Sequence, residues 1–338
     1  MPKETIGVGV VGYGRVGEGY HAPMAATVEG FELVAVCDAV EARLAAAKER
    51  YGCAVYRDYE AMLADERVKL VAIATPPNMH CDQAIAAAQA GKHILVDKPF
   101  CMDYEEAKRM VRAATEAGVV ITANQNRRWD ADYLTVKKAI EDGLLGQVYD
   151  RESRWMHFTA NWASYGVPEF DCRWRVKRQY GGGMVYDYAS HLGDQMLRMV
   201  PSPLSSVYAD LQSRIWSDEV DDHFRAELRF ADRTTALLEA SNNARRTLPR
   251  WYVVGDKGTL VSEPTGGCDV RIYTDEGETA LEPVKPPANV IYTNIADVLL
   301  RGGELAVKPQ HVLETMRLIS MIFRSAQEGE VIYVADMD

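Results

Sequence analysis

A carboxylate and an imidazole follow three consecutive glycines in the segment GGGMVYDYASHLGDQ, residues 181–195. Asp187 and His191 are four positions apart, so on an α-helix they would share one face, which Asp194 would extend. Asp187 could then orient the His191 ring or bind a substrate hydroxyl, and histidine is a natural base near neutral pH. The glycines would leave room for a ligand at the helix start. The alternatives are a simple helix N-cap for Asp187 and a buried structural position for His191.

A second group with functional spacing is the motif G-x-G-x-x-G, which Gly12, Gly14 and Gly17 form after the apolar run IGVGVVG. The first glycine permits a tight turn, the second lets the backbone approach a pyrophosphate, and the third lets a helix pack against the strand. The phosphate would lie at the helix N-terminus, where free N–H groups favour an anion. The motif in this context predicts a dinucleotide cofactor. The neighbouring residues expected to contact it, through backbone or by stacking, are Tyr13, Arg15 and Val16.

The next apolar run ends in Asp38, which predicts the choice of cofactor. It lies roughly 25 residues after Gly12, in the range expected for an acid that binds ribose hydroxyls. A carboxylate there hydrogen-bonds the 2′-hydroxyl of NAD and repels the 2′-phosphate of NADP. The nearest arginine downstream is Arg43, about one helical turn further on. We therefore expect NAD, with NADP the less favoured cofactor.

The composition excludes several classes of function. The formal net charge of −11 disfavours nucleic acid as a partner, because phosphate binding needs a basic surface. None of the six cysteines forms a C-x-x-C pair, which indicates reduced thiols rather than a zinc site. The N-terminus has no signal-peptide pattern, and no apolar run approaches the ~18–20 residues of a transmembrane helix. We expect a cytoplasmic protein without a metal, nucleic-acid or membrane partner.

The 338 residues are enough for two domains, and the periodicity changes between them. The first part alternates helical patterns with short apolar runs, namely IGVGVVG, ELVAVCD, KLVAIATPP, HILVDKP and VVITANQ. Apolar strands separated by helices indicate a parallel sheet covered on both faces. This pattern predicts an α/β fold, with a doubly wound Rossmann domain over residues 1–122.

Longer, alternating segments follow, and they predict an α+β domain over residues 123–338 with a mainly antiparallel open sheet. Asp256-Lys257-Gly258 is a hairpin-type turn signal, and the final helical pattern ends at Gly329. The solvent face of such a sheet would need cover. We therefore expect a homodimer or homotetramer that associates through this C-terminal sheet.

Three further motifs precede the opening segment along the chain: ATPPNMH at 74–80, VDKPF at 96–100 and NQNRRWD at 124–130. Together with GGGMVYDYASHLGD at 181–194 they form an ordered set of four motifs. In order and spacing they closely resemble the glucose–fructose oxidoreductase/inositol dehydrogenase/MocA family. The similarity includes GDKGTL at 255–260 and the closing helix, so it spans nearly the whole chain. The resemblance implies a Rossmann domain, an α+β domain and NAD(P)-dependent dehydrogenase activity on CH–OH groups.

The resemblance also implies roles for individual residues. The family's Glu-Lys-Pro appears here as Asp97-Lys98-Pro99, and its lysine lies beside the nicotinamide and the reacting carbon–oxygen bond. The aspartate keeps the charge of the family's glutamate but has a shorter reach. The family's D-x-x-x-H is matched by Asp187 and His191, so the expected catalytic residues are these two and Lys98. The other positions implied to contact the cofactor are Thr75, Pro76, Asn78, His80, Asp97, Gln125, Trp174 and Arg175.

The implied function is NAD-dependent oxidation of a secondary alcohol of a sugar, an inositol or a related polyol. The Lys98 ammonium would stabilise negative charge on the alcohol oxygen, and either His191 or Lys98 would take the proton. The alternatives are a sugar–sugar oxidoreductase or NAD-dependent glycosidase with a retained cofactor, and a non-catalytic NAD(H)-binding sensor. Weaker candidates for a sugar-binding wall, for which packing is the other interpretation, are Trp155, His157, Trp162 and Tyr292.

Overall fold

The computed structural model describes residues 5–159, 173–264 and 268–337. Contacts between Cα atoms divide these residues into two compact units. The first unit takes in the described residues up to Gln125, together with Arg173, Trp174 and Ala288–Leu313, and the second contains the others. The predicted domain boundary between residues 122 and 123 stays a prediction.

The first unit is built on a parallel sheet of six strands among its described residues, in the order β3-β2-β1-β4-β5-β6. These strands are β1 Ile6–Val11, β2 Phe31–Cys37, β3 Ala54–Tyr56, β4 Leu70–Ile73, β5 His93–Val96 and β6 Ile121–Ala123. All residues of β1 and β4 are buried, as expected for strands covered on both faces. This confirms the predicted doubly wound α/β fold, to which the structure adds the short strand β3.

The second unit is built on a mixed sheet of nine strands among its described residues, in the order β14-β13-β12-β11-β7-β10-β9-β8-β15. These strands are β7 Val148–Met156, β8 Leu204–Gln212, β9 His223–Phe230, β10 Thr235–Ser241, β11 Trp251–Gly255, β12 Gly258–Ser262, β13 Val270–Thr274, β14 Gly277–Leu281 and β15 Ile332–Tyr333. Strands β10 and β7 pair in parallel, and the other pairs are antiparallel. The mainly antiparallel sheet and the turn between β11 and β12 are as predicted, whereas β13 and β14 were not predicted.

The α-helices of the described residues are α1 Ala22–Thr27, α2 Glu41–Tyr51, α3 Tyr59–Leu63, α4 His80–Gln89, α5 Tyr104–Glu116, α6 Ala131–Glu141, α7 Ser190–Met199, α8 Val290–Arg301 and α9 Pro309–Glu328. Helix α5 has the capping residues that the sequence indicates. The Asp103 carboxylate accepts the N–H of Glu106 at 2.8 Å at the start of α5, and Gly118 follows its end with φ +68°. Both residues act as predicted.

Helix α8 was not predicted, and it belongs to the first unit although it lies late in the chain. A Cβ at Gly30, just before β2, would lie 2.9 Å from Leu300 Cδ1, so this glycine lets α8 approach closely. Tyr292 of α8 is fully buried, and its ring meets the edge of Phe31 with centroids 5.6 Å apart. The first unit is therefore completed by a segment that is distant in sequence.

A buried ion pair in the second unit occupies Asp194, which was expected to extend the face of Asp187 and His191. Arg128 donates to both carboxylate oxygens of Asp194, with Nε–Oδ2 at 2.7 Å and Nη2–Oδ1 at 2.6 Å. The two side chains are only 8% and 2% exposed. The carboxylate is held by the guanidinium, which compensates its burial, and its place on the face of Asp187 and His191 stays a prediction.

Replacing Asp194 by Ala should lower the free energy of unfolding by about 3–5 kcal/mol, because the buried Arg128 guanidinium loses that carboxylate. Urea denaturation measures the change. The control is Lys138→Ala, which removes an ion pair with Asp142 at 2.7 Å whose side chains are 61% and 46% exposed. That variant should lose no more than about 0.5 kcal/mol. Equal losses for the two variants would contradict the importance of the buried pair.

Candidate functional site

The predicted cofactor-binding residues of the first unit follow the ends of its parallel strands. Gly12 comes directly after β1, Asp38 after β2, Thr75 shortly after β4, Asp97 after β5, and Gln125 shortly after β6. Because the carboxyl ends of parallel strands meet at one edge of the sheet, the fold brings these five residues to the same edge. Ligands of doubly wound sheets bind outside this edge.

The three motif glycines have different surroundings. Gly12 has φ +86°, and a Cβ there would lie 2.6 Å from the carbonyl oxygen of Ala74. A Cβ at Gly17 would lie 1.9 Å from the carbonyl oxygen of Gly12, so the third glycine is needed for the helix to pack against the strand. A Cβ at Gly14 would meet only Arg43 Nη1, at 4.0 Å. The second glycine therefore leaves open space, which fits the close approach of a pyrophosphate.

The chain becomes helical directly after Gly14. Arg15 is exposed and Val16 half-buried in the first turn, and a π-helix spans Gly17–His21. The N–H of Glu18 donates to the carbonyl of Gly14 at 2.7 Å. The first N–H groups of a helix have no partner within it and favour an anion. This turn therefore provides donors of the kind a cofactor phosphate requires.

Asp38 fixes the backbone of the glycine loop. Its Oδ2 accepts the N–H of Tyr13 at 2.7 Å, and its Oδ1 accepts the N–H of Val40 at 2.8 Å. Arg43 Nη1 lies 3.3 Å from Oδ2. Because the Tyr13 ring is buried, Tyr13 acts here through its backbone. The acid at the end of β2 thus has an arginine beside it. An arginine at this place can accommodate the 2′-phosphate of NADP, which would reduce the preference for NAD.

The segment after β4 is joined to the loop after β5 by His80. Its Nδ1 lies 3.0 Å from the carbonyl oxygen of Pro99, and its Nε2 lies 2.8 Å from that of Thr75. Burial lowers the pKa of His80, and the carbonyl contacts oppose this effect. The Thr75 hydroxyl donates to Gln83 Oε1 at 2.6 Å. Of the other two predicted positions in this segment, Pro76 is half-buried and Asn78 is exposed.

Asp97 is buried and lies next to the half-buried Lys98. Asn124 Nδ2 donates to its Oδ1 at 3.1 Å, and His21 Nε2 lies 3.9 Å from the same oxygen. Burial opposes the ionisation of Asp97, but His21, Lys98 and Asn124 outweigh it and lower the pKa of this carboxyl group. The structure therefore places a carboxylate held in its ionised form beside the predicted catalytic lysine.

His21 was not predicted as a residue of the site, and Tyr292 follows the packing interpretation. His21 is fully buried, and its Nδ1 lies 2.8 Å from the hydroxyl of Tyr292, a residue 271 positions away. Tyr292 was a weaker candidate for a sugar-binding wall, and its burial inside the first unit favours the packing interpretation. The only local signal for His21 is its position at the end of the helical turn that follows the glycine motif.

In the second unit, the helix that carries Asp187 and His191 begins with a π-helix, Val185–Ala189, which continues as α7. Asp187 lies in the π-helix and His191 in the first turn of α7, so the regular α-helix expected between them is interrupted. Arg175 Nη1 forms an ion pair with Asp187 Oδ1 at 2.9 Å. The structure thus brings two of the predicted site residues together, and His191 is buried in the first turn of α7.

The three glycines before this helix accommodate the protein's own chain. Gly181, with φ +75°, ends the short helical turn Arg178–Tyr180. A Cβ at Gly182 would lie 2.3 Å from the carbonyl oxygen of Arg175, and one at Gly183 would lie 2.4 Å from Asp221 Oδ1. We expected these glycines to leave room for a ligand. The space that a Cβ would need at Gly182 and Gly183 is instead taken by the preceding turn and by the buried Asp221 carboxylate.

Aromatic side chains pack around Tyr188, which follows Asp187. Trp155 stacks on Tyr188 with ring centroids 5.2 Å apart, and His157 meets its edge at 6.1 Å. The guanidinium carbon of Arg127 lies 4.0 Å from the Trp155 ring centroid. Burial lowers the pKa of His157, and the negative charge of Asp187 opposes this effect.

Three other predicted positions remain. Gln125 is buried and Trp174 half-buried, whereas Trp162 lies outside the described residues.

Within the described residues, those at 5–159, 173–264 and 268–337, neither a metal-ligating cluster nor a membrane-spanning helix is present. No group of three or more His, Cys, Asp or Glu side chains in these ranges is arranged to hold a metal ion. Within the same ranges, no helix combines the length and the apolar character that crossing a membrane requires.

Known families and structures match both units. Residues 6–125 match the oxidoreductase family with an NAD-binding Rossmann fold, and residues 133–261 match the GFO/IDH/MocA C-terminal domain. The crystal structure of an NAD-binding protein from Listeria innocua is 34% identical, covers 98% of this chain and 97% of its own, and superposes with a TM-score of 0.88.

Two relatives have named activities. D-glucoside 3-dehydrogenase of Escherichia coli (strain K12) is 30% identical over 297 residues, which cover 81% of this chain and 80% of the relative. The scyllo-inositol 2-dehydrogenase (NADP(+)) IolW of Bacillus subtilis (strain 168) is 26% identical over 356 residues, which cover 97% and 96%. These matches confirm the predicted family and the NAD-binding fold. The chain belongs to the GFO/IDH/MocA family of NAD(P)-dependent oxidoreductases.

Proposed function

We propose that this oxidoreductase transfers a hydride from a secondary alcohol of a sugar, an inositol or a related polyol to NAD. The observation that carries the proposal is the single edge of the parallel sheet at which the glycine loop, Asp38 and the Asp97-Lys98 pair follow successive strands. The named activities of the two relatives, one acting on an inositol and one on a glucoside, support this substrate class.

The proposed catalytic residues are Lys98, Asp187 and His191. Bound NAD supplies the hydride acceptor, and the protein must handle the hydroxyl proton and the charge on oxygen. The Lys98 ammonium stabilises negative charge on that oxygen, and the ionised Asp97 next to it favours the ammonium form. The proton passes to His191 while Lys98 stays an ammonium, or, in the alternative assignment, to Lys98 as the neutral amine. Asp187 with its partner Arg175 shapes the charge near the substrate hydroxyls.

The proposed cofactor contacts follow the strand ends. The glycine loop and the turn after it hold the pyrophosphate through backbone N–H groups. Asp38 binds the adenosine ribose hydroxyls, and the segment from Thr75 to His80 lines the nicotinamide ribose. The further positions included in the proposed cofactor site are Tyr13, Arg15, Val16, Asp97, Gln125, Trp174 and Arg175.

A panel of inositols, sugars and glycosides, read by NADH absorbance at pH 8, tests the proposal. At least one member should give steady NADH formation with NAD. Cofactor that co-purifies and turns over only when two sugars are present would instead support a sugar–sugar oxidoreductase. Cleavage of a glycoside without net NADH would support an NAD-dependent glycosidase. Tight NAD(H) binding without any turnover would support the non-catalytic sensor and contradict the proposal.

Within the same panel, Lys98→Met should lower kcat by roughly 10²–10³-fold, the range found when one oxyanion donor is removed. The dissociation constant of NAD, measured by tryptophan fluorescence, should change by no more than about threefold. The control is Lys48→Met, which alters an exposed lysine of α2 in the same unit. Turnover near the wild-type rate in Lys98→Met would remove this lysine from the mechanism.

Asp38→Ala should weaken NAD and strengthen NADP relative to it, by about tenfold or more in the ratio of dissociation constants. The substitution removes the ribose acceptor and the repulsion of a 2′-phosphate, and it leaves Arg43 available to an anion. The relative IolW is named for NADP(+), so this preference differs within the family. Asp58→Ala is the control, because Asp58 caps α3 through the N–H of Ala61 at 2.8 Å. An unchanged NAD/NADP ratio in Asp38→Ala would show that this acid does not contact the ribose.

We also propose that the chain forms a homodimer or homotetramer through the open face of the second sheet, and that it acts in the cytoplasm. On this face Asp210 of β8 pairs in register with Arg225 of β9, and the 45% exposed Tyr208 pairs with Glu227. A face with an exposed aromatic residue and both signs of charge suits contact with its own copy.

The proposed location in the cytoplasm is supported by free thiols, which fit a reducing compartment. They are those of Cys37, Cys53, Cys81, Cys101 and Cys268.

Light scattering coupled to size-exclusion chromatography should give a mass of two or four 37.7 kDa chains. Arg225→Glu should shift the mass towards one chain, because it places like charges beside Asp210. Arg50→Glu, at an exposed position of α2 in the other unit, serves as the control. A wild-type protein with the mass of one chain at micromolar concentration would contradict this assembly.

A further inference from the structure

The carboxyl group of Asp221 lies at the start of the helix that carries the proposed catalytic residues of the second unit. Its Oδ2 accepts the N–H of Val185 at 2.8 Å, and its main-chain carbonyl accepts the N–H of Met184 at 3.0 Å. Helix-start N–H groups have no partner within the helix. Asp221 therefore caps this helix from a segment that is 36 positions away from Val185.

Asp221 is connected to Asp187 through the backbone of Gly183. Gly183, with φ +113°, could not carry a side chain, because its Cβ would lie 2.4 Å from Asp221 Oδ1. Its N–H donates to the carbonyl of Arg175 at 3.0 Å, and its carbonyl accepts the N–H of Asp187 at 3.1 Å. The side chains of Arg175 and Asp187 form the ion pair described above. A shift of the Asp221 carboxylate would therefore reach the backbone that orients Asp187.

We propose that Asp221 is a positioning residue whose ionised carboxylate fixes the start of this helix, and with it Asp187 and His191, in the arrangement that turnover requires. Protonation of Asp221 replaces a charged acceptor by a neutral one, which weakens the hydrogen bond from Val185. The part of the inference that concerns turnover rests on the proposed dehydrogenase function. The part that concerns the helix start stands without it.

The electrostatic surroundings place the ionisation of Asp221 in the physiological range. Burial, together with the charge of Asp222, raises the pKa of Asp221 to about 7, against the N–H donors of Val185, Met184 and Asp221 itself. The other titratable or charged side chains on the segments packed around it are Arg175, Lys177, Arg178, Tyr180, Tyr186, Asp187, Tyr188, His191, Asp218, Glu219 and His223. Of these, Arg175 and Asp187 are ion-paired with each other.

Ionisation of the Asp221 carboxylate in the folded chain lowers the free energy of unfolding. The pKa of Asp221 is higher in the folded chain than in an unfolded chain, so the folded state retains a proton that the unfolded state has released. The free energy of unfolding therefore falls as the pH rises from about 4 to about 7. A neutral side chain could accept the same hydrogen bond without lowering the free energy of unfolding. The presence of a carboxylate at this position therefore favours a role for its charge.

Hydrogen exchange measured by mass spectrometry tests the inference without a substrate. In wild-type protein, protection of the Met184 and Val185 amides, corrected for the intrinsic rate, should rise about fivefold between pH 6 and pH 8 with a midpoint near 7. Asp221→Asn should abolish this step. The matched control is Asp222→Asn, since Asp222 accepts the N–H groups of a different loop, including Ile215 at 2.7 Å. This control should keep the step, with its midpoint moved to lower pH because the charge of Asp222 no longer raises the pKa of Asp221.

The kinetic readout uses whichever polyol the panel identifies. Wild-type kcat should decline below pH 7, and Asp221→Asn should lose that step, with a lower kcat above pH 7 and an unchanged dissociation constant for NAD. Wild-type protein without an exchange step would overturn the inference even if Asp221→Asn fails to fold, as would an Asp221→Asn variant with the wild-type pH profile. An exchange step in a protein that oxidises no polyol would support the Asp221 contact and overturn the proposed function instead.

Discussion

Buried carboxylates that accept hydrogen bonds from neighbouring loops are the constraint on which the candidate site depends. Asp38 accepts two backbone N–H groups of the residues around it, and Asp221 accepts the N–H at the start of a helix. A buried carboxylate is unfavourable unless it is hydrogen-bonded or paired, so each of these contacts restricts the backbone near it. Glycines lie where that restriction brings chain segments together, as Gly183 does against Asp221.

Two of these acids show how the same burial leads to different ionisation. Asp97 is buried next to His21 and Lys98, and its pKa is lowered. Asp221 is buried among backbone amides and beside the like charge of Asp222, and its pKa is raised to about 7. The Lys98 ammonium and the contacts from His21 and Asn124 keep Asp97 charged at neutral pH, whereas Asp221 changes its charge there. A permanent charge beside Lys98 suits electrostatic stabilisation, and a titrating one suits control of a helix start.

The sequence predicts features whose physical cause is local. Gly12, Gly14 and Gly17 follow a strand and precede a helix, and Asp103 and Gly118 mark the ends of α5. It cannot reveal contacts between distant segments, such as the one between His21 and Tyr292, because no local periodicity encodes them. The π-helix before α7 was also not predicted. Strand β14 was missed because four of its five residues are exposed, so its sequence lacks the apolar pattern of a strand.

Hydride transfer from a carbinol carbon to NAD can be followed with a polyol that the wild-type protein oxidises and that carries deuterium on the reacting carbinol carbon. Mass spectrometry and NMR of the reduced cofactor show where the deuterium goes. We expect NADH with one deuterium at nicotinamide C4, formed in equal amount with the ketone. Reduced cofactor without deuterium would contradict this transfer, as would loss of the polyol with no reduced cofactor formed in the presence of saturating NAD.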